Sequence, residues 1–134
     1  WSDFGGRCSP EDKSDVHYTA SREFFEESLG CIFRIPLVYS ILSRKNIQYV
    51  IGKTPTGCNY YMFLLKVNDR NYKENFYSRI DILKHFNCDS YKIEKIDIDW
   101  FSLDTVMNDD EIISLRNVFR DTMRNNKHIT ELCV

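Results

Sequence analysis

The chain has 134 residues, of which 43% are hydrophobic and 14% aromatic, and its formal net charge is −2. This composition excludes a disordered chain and predicts one compact domain over 1–134 with a sizeable core. No apolar segment has the length of a membrane span, and no secretory signal is visible, so we predict no membrane partner.

The cysteines are odd in number, scattered and without a Cys-x-x-Cys pair; they are Cys8, Cys31, Cys58, Cys88 and Cys133. This pattern predicts neither a disulfide framework nor a zinc site. A reducing compartment, and hence the cytoplasm, is the localisation that it favours.

Charge is unevenly distributed along the chain. Residues 44–95 contain ten Lys or Arg and five Asp or Glu, whereas residues 1–43 contain four and seven, and residues 96–134 contain four and eight. In an enzyme that acts on phosphorylated substrates, the acidic parts would hold a cation and the basic part would contact phosphate oxygens. Scattered surface lysines are the alternative explanation.

In chain order, Trp1–Phe4 is predicted to be the end of a strand that leads into a turn at Gly5–Gly6. The segment from Cys8 to His17 is predicted to be a loop, and Ser14 or Asp15 is expected to cap the helix that follows it.

The next element is a predicted helix from Thr19 to Gly30. At about 100° per residue, Glu23, Glu26 and Glu27 share one face of it, with apolar residues on both flanks. Glutamates at i and i+4 repel each other, and no lysine on this helix offsets them. A solvated acidic face is the ordinary interpretation, but the crowded carboxylates favour a site for a hard divalent cation.

The stretch Arg22-Glu-Phe-Phe-Glu-Glu27, with Gly5–Gly6 before it and Gly30 after it, resembles the box of the Nudix hydrolase family, G-x5-E-x7-R-E-U-x-E-E-x-G-U, where U is apolar. The chain departs from this pattern in three ways. The first box glutamate falls on Asp12, the spacing from there to Arg22 is two residues too long, and Gly30 comes one residue late. A longer loop before the helix explains the first two.

The resemblance implies a site and a cofactor. It implies that Glu23, Glu26 and Glu27, together with the carbonyl of Gly5, bind Mg²⁺ or Mn²⁺. It implies catalytic roles for Glu23, Glu27 and Glu94, with either Glu23 or Glu94 as the general base. Arg22 is expected to orient an acidic partner, which is Glu11 or Asp12, rather than to touch substrate.

The middle of the chain is predicted to form strands and a helix. The segment from Cys31 to Leu42 is interpreted as a short strand, or a turn followed by one. Asn46–Ile51 and Asn59–Val67 are predicted to form a hairpin, because Gly52–Gly57 between them is rich in Gly and Pro. The second strand is nearly all apolar, which is typical of a central strand covered on both faces. Glu74–Asn87 is predicted to be a helix with Phe76, Ile80, Leu83 and Phe86 on its apolar face.

The last part of the chain is predicted to contain a strand and a helix. Residues 93–103 alternate between apolar and polar, as a strand does, and Glu94 precedes Trp100 at a spacing typical of the Nudix resemblance. Asn108 is expected to cap the final helix, with Glu111 as the capping-box residue and an apolar stripe formed by Ile112, Leu115, Phe119 and Met123.

The order of these elements excludes a regular doubly wound sheet and favours an α/β fold. The resemblance implies a three-layer α/β/α sandwich with a mixed sheet whose N-terminal strand or strands are missing. It further implies hydrolysis of a diphosphate that joins a nucleoside or another group to a second moiety.

Candidate substrates are nucleotides, dinucleotides, diphosphoinositol phosphates and capped RNA. One alternative is a catalytically inactive Nudix-fold module that binds nucleotide or RNA, and another is an RNA-binding decapping factor. The sequence leaves the oligomeric state open.

Overall fold

The computed structural model describes residues 1–68, 71–86, 93–108, 111–126 and 128–132. The chain divides into two compact units. The helical unit comprises Phe4–Arg44 and Val67–Asp99, and the hairpin unit comprises Trp1–Asp3, Lys45–Lys66 and Trp100–Val134. Helices and a two-stranded antiparallel sheet give the described part mixed α and β character, which confirms the predicted class at that level. None of the described helices is long and apolar enough to cross a membrane.

Three helices form the helical unit: α1 is Val16–Glu27, α2 is Ile35–Leu42 and α3 is Tyr72–His85. The loop before α1 contains a short 3-10 turn, Pro10–Asp12. Asp15 caps α1, as predicted, because its carboxylate accepts the backbone N–H groups of His17 and Tyr18. The helix therefore begins three residues earlier than Thr19.

The end of α1 is a left-handed turn. The helix ends at Glu27, and both Leu29 and Gly30 have positive φ, at 53° and 63°. Gly30 therefore lies beyond the helix, where glycine adopts this backbone conformation without strain. Leu29 is buried with Phe76 and Ile80 of α3 in the core of the helical unit.

The prediction of a strand between Cys31 and Leu42 is wrong, because residues 35–42 form helix α2. Pro36 lies in the first turn of this helix, where a missing backbone N–H costs nothing. Val38 and Leu42 are four residues apart and both buried, so the apolar run has helical rather than strand periodicity.

Helix α3 confirms the helix predicted near residues 74–87, although Asn87 itself lies outside the described residues. Phe76 and Ile80 are buried as expected, and Leu83 packs against them. Phe86 is 68% exposed, so its inclusion in the apolar face is wrong.

The hairpin unit is built on β1, Tyr49–Lys53, and β2, Asn59–Phe63, which pair antiparallel with Tyr49 opposite Phe63. This confirms the predicted hairpin. Val50 and Met62 on its inner face belong to the core of this unit, together with Met123 and Ile129. The expectation that the second strand is covered on both faces is wrong, because Tyr61 is 37% exposed while the adjacent Met62 is 5% exposed.

Two predicted strands are not strands in the structure. Residues 93–102 have no regular secondary structure, and neither do residues 1–4. Trp1 is nevertheless tied to the hairpin unit, because its amino group donates to the carbonyl of Ser114 and its carbonyl accepts from the N–H of Arg116. The alternating polarity at 93–103 does not correspond to alternating burial, because the apolar residues Ile96 and Trp100 are 82% and 55% exposed.

The predicted final helix is helical only in its second half, because residues 111–116 are not helical. Asn108 ends α4, Leu103–Asn108, instead of capping a helix, and α5 spans Asn117–Asn125 after Arg116 as its N-cap. Ile112 is 71% exposed and does not join the apolar stripe. A last short helix, α6, is Ile129–Leu132.

The cysteines with described structure are consistent with the absence of a disulfide framework. Cys8, Cys31 and Cys58 carry free thiols. Cys88 and Cys133 lie outside the described residues.

We expect Gly52→Ala to destabilise the hairpin unit by about 1–3 kcal/mol, the usual cost of overpacking. A Cβ at Gly52 would overlap Oγ1 of Thr122, which is buried on α5 and donates to the carbonyl of Val118. In an open strand position the same change would stabilise the protein slightly. Urea denaturation gives the free energy of unfolding, and the loss should be smaller in a Thr122→Ala background; a stabilised Gly52→Ala variant would contradict this packing.

Candidate carboxylate site

Helix α1 places two of the three predicted glutamates in a buried position and the third in solvent. Glu23 and Glu27, one turn apart, are 9% and 6% exposed, whereas Glu26 is exposed. Residues at i and i+4 lie on the same face of a helix. The site therefore centres on the Glu23–Glu27 pair.

Glu27 is held by the glycine turn and by a lysine. The backbone N–H of Gly5 donates to its Oε2 at 2.8 Å, and the Nζ of Lys95 lies 3.4 Å from its Oε1. Burial raises the pKa of Glu27, while the Gly5 hydrogen bond and the charge of Lys95 oppose this and the charge of Glu23 adds to it. The negative charges of Glu23 and Glu27 therefore repel each other in a site that is partly excluded from water.

Glu23 lies against the second glycine of the turn. A Cβ at Gly6 would overlap the carboxylate of Glu23, so only glycine permits this approach. Oε1 of Glu23 also forms an ion pair with Nη2 of Arg22, at 2.9 Å. The Gly5–Gly6 turn predicted from the sequence is therefore in contact with both buried glutamates.

Arg22 joins the loop before α1 to the helix. Its Nε and Nη2 donate to the two carboxylate oxygens of Asp12 at 3.0 and 2.9 Å, a bidentate pair. Its Nη1 lies 2.9 Å from Oε2 of Glu26. Asp12, rather than Glu11, is therefore the acidic partner that Arg22 orients.

Asp12 is a buried anchor of the loop. Its side chain is fully buried, and besides Arg22 it accepts from the backbone N–H of Ser9 and the hydroxyl of Thr19, both at 2.9 Å. The hydrogen bonds from Arg22 hold the pKa of Asp12 well below its ordinary value, against the effect of burial. At neutral pH this carboxylate is ionised and fully paired.

The depressed pKa of Asp12 predicts a loss of stability in acid. The group contributes stability above its unfolded-state pKa of about 3.9, and loses it as the pH falls below that value towards the folded-state pKa. We expect the difference in unfolding free energy between wild type and Asp12→Asn to be constant from pH 7 to 5 and to shrink between pH 4 and 2. Thermal or urea unfolding at a series of pH values measures this; a difference that grew on acidification would have the wrong sign.

Glu94 is exposed and lies in the irregular segment 93–102 of the helical unit. The next residue, Lys95, contacts Glu27, so the backbone that carries Glu94 runs beside the site. Lys95 is not among the site residues predicted from the sequence. The signals for it in the sequence are its position directly after Glu94 and the lack of a lysine on α1 that could pair with Glu27.

The metal site predicted from three glutamates is not assembled in the structure. Among the described residues, no group of three or more His, Cys, Asp or Glu side chains is placed so that it could hold a metal ion. Glu26 is turned to Arg22, and the described contact of Gly5 is made by its N–H rather than by its carbonyl.

The donor chemistry of Glu23 and Glu27 nevertheless fits a hard divalent cation. Both are buried carboxylates, and the charge of Glu23 raises the pKa of Glu27, so a cation between them would relieve their repulsion. The missing Cβ of Gly6 lets the carboxylate of Glu23 lie directly against the backbone of the turn.

Comparison with models of protein families, with curated proteins and with solved structures found no match to this chain.

Proposed function

We propose that the protein is a metal-dependent hydrolase of the Nudix type, which cleaves the diphosphate bond between a nucleoside diphosphate, or a similar phosphorylated group, and a second moiety. The observation that carries this proposal is the pair of buried glutamates, Glu23 and Glu27, held against the Gly5–Gly6 turn. The Arg22–Asp12 pair supports it, because it joins the two halves of the box that the resemblance defines.

Mg²⁺ or Mn²⁺ would be held by Glu23 and Glu27, with Glu26 and the carbonyl of Gly5 as further ligands. When bound, the cation would neutralise the diphosphate and lower the pKa of a water molecule. Glu26 would have to exchange Arg22 for the cation, which is feasible because Glu26 is exposed and the pair is an i, i+4 surface contact.

The proton of the attacking water would pass to a carboxylate of the site. Glu23 and Glu94 are the candidates for this general base. The water oxygen bonds to one phosphorus while the P–O–P bridge breaks and its oxygen leaves with the other phosphate. Lys95 beside Glu27 would offset negative charge on the substrate.

The proposal extends to the fold and the compartment. We propose that the two-stranded sheet belongs to the mixed sheet of a Nudix-type α/β/α sandwich whose helices leave the Tyr49 and Ile51 side of the hairpin uncovered, since these side chains are 48% and 46% exposed. The scattered cysteines lead us to propose a reducing compartment.

The test is release of phosphate-containing products, with and without Mg²⁺ or Mn²⁺, from a panel of nucleoside diphosphate derivatives, dinucleotides, diphosphoinositol phosphates and capped RNA. The basic composition of residues 44–95 favours the more highly phosphorylated members of this panel. Metal-dependent cleavage of any of them supports the proposal and names the substrate class. No cleavage by the folded protein across the panel would overturn it.

A second candidate is a binding module without catalysis. The observation that favours it is that protein cations already face the carboxylates, with Lys95 on Glu27 and Arg22 on Glu23 and Glu26. Titration calorimetry with the same panel distinguishes the two: ligand binding without turnover supports the module, and turnover excludes it.

A further inference from the structure

The outer face of the hairpin is apolar, aromatic and exposed. Side chains alternate along β1, so Tyr49 and Ile51 point away from the core and are 48% and 46% exposed. Tyr61 lies opposite Ile51 on β2 and is 37% exposed, and Phe63 lies opposite Tyr49. We call these four residues, with Lys53, the outer face.

The core of the hairpin unit does not use this face. Val50 and Met62, which point the other way, are 3% and 5% exposed and pack with Met123. Gly52 approaches Thr122 of α5 on that same inner side. The exposed aromatic residues therefore contribute little to folding, and large exposed apolar groups gathered on one face indicate a binding surface.

The rings of the outer face are arranged side by side. The ring of Tyr49 lies 5.8 Å from that of Phe63 and 6.4 Å from that of Tyr61, centroid to centroid, with the planes tilted by 46° and 45°. Because cross-strand pairing fixes the backbone beneath them, these aromatic groups form a platform. Such a platform offers π-faces to planar ligands.

The hairpin segment itself carries only positive side chains. No Asp or Glu occurs from Lys45 to Lys66, and the basic residues of this segment are Lys45, Lys53 and Lys66. Lys53 continues the outer face of β1 and donates to the amide oxygen of Asn59 at 2.6 Å, a neutral acceptor that leaves its charge uncompensated by that contact. On the inner face, the hydroxyl of Tyr60 donates to the carboxylate of Asp3.

We propose that the outer face binds single-stranded nucleic acid, with bases stacked on Tyr49 and Tyr61 and the phosphate backbone near Lys53. Exposed aromatic rings beside cationic side chains are a recurrent means of binding unpaired bases, and they tolerate many sequences because every base has a π-face. A protein partner that binds through apolar contacts would gain no affinity from the excess of positive charge on the hairpin segment. The inference is independent of the hydrolase proposal, since it concerns residues of the other unit.

The first experiment measures fluorescence anisotropy of labelled oligouridine and oligodeoxythymidine, about eight nucleotides long, with the full chain in EDTA so that no metal-dependent cleavage occurs. The variant Tyr49→Leu/Tyr61→Leu keeps apolar bulk but loses both π-faces. We expect it to bind at least about tenfold more weakly than wild type, given the stacking contribution per base. Tyr49→Phe, the matched control, retains its ring and should bind within about twofold of wild type.

A second arm measures the salt dependence of binding. Lys53→Gln should lower the slope of log K against log salt by about 0.7, the value for one phosphate contact on a single strand. This arm decides the question even if the double leucine variant fails to fold, which circular dichroism would reveal. Tighter binding of the RNA oligonucleotide than of the DNA would assign RNA as the ligand, and equal binding would assign single strands in general.

Three outcomes overturn the proposal. The first is no binding by wild type at low salt, and the second is equal binding by wild type and the folded leucine variant with an unchanged salt slope in Lys53→Gln. The third is sedimentation that shows wild-type self-association abolished in the leucine variant without any effect on oligonucleotide binding, which would assign the face to a second copy of the chain.

Discussion

Replacement of Glu27 by Gln is expected to lower kcat for metal-dependent diphosphate cleavage by at least about 100-fold, the scale on which loss of one preorganised electrostatic group affects turnover. The substitution preserves shape, and the amide oxygen can still accept the N–H of Gly5. It removes the negative charge that would hold a cation. The effect should therefore fall on kcat rather than on folding.

The matched control for this variant is Glu131→Gln, which removes the charge of an exposed glutamate on α6 in the hairpin unit. Steady-state kinetics on the substrate identified from the panel, with circular dichroism as a check of folding, compare the two. If folded Glu27→Gln retained turnover within about threefold of wild type, Glu27 would not belong to the catalytic site, because a loss of about 100-fold is expected for a group of this kind.

Replacement of Arg22 by Met is expected to lower the free energy of unfolding by about 3 kcal/mol or more, because it leaves the carboxylate of Asp12 buried without its cation. The side chain of Asp12 is fully buried, and Arg22 supplies two of its hydrogen bonds. The hydrogen bonds from Ser9 and Thr19 remain, but they do not neutralise the charge. This is the largest stability effect that we expect from a single change in the helical unit.

The double variant Asp12→Asn/Arg22→Met tests the cause of that loss. It removes both charges, so it should be more stable than Arg22→Met alone, and the double-mutant cycle isolates the coupling between the two side chains. Urea denaturation at pH 7 provides the four free energies. Additive effects of the two substitutions would contradict the buried ion pair.

The features that the sequence predicted correctly depend on local interactions. The cap at Asp15 and the spacing of Glu23 and Glu27 follow from helix geometry alone. The hairpin follows from the Pro- and Gly-rich turn at 52–57. Each of these involves residues that are close in sequence, so tertiary contacts did not need to be known.

The predictions that failed depended on tertiary context or on an ambiguous pattern. The apolar residues around Pro36 are compatible with an edge strand and with the first turn of a helix. The helix forms because it buries Val38 and Leu42, which are four residues apart, on one face. Alternation at 93–103 is typical of a strand, but a ladder needs a partner that no local pattern specifies.

Local sequence patterns also did not predict the contacts that complete the site. Lys95 reaches Glu27 only after the chain has folded back over many residues, and the choice of Asp12 over Glu11 depends on which side chain is buried. The resemblance to a family motif pointed to the glutamates and to Arg22, but not to Lys95.

The most direct test of the proposed metal chemistry is Mn²⁺ binding to the full chain, measured by calorimetry and by the loss of the free-ion signal in electron paramagnetic resonance. We predict that wild type binds Mn²⁺ and that Glu23→Gln/Glu27→Gln, folded by circular dichroism, loses this binding. Failure of the wild type to bind Mn²⁺, or equal binding by the double variant, would contradict the account, because the buried glutamate pair would then not be a cation site.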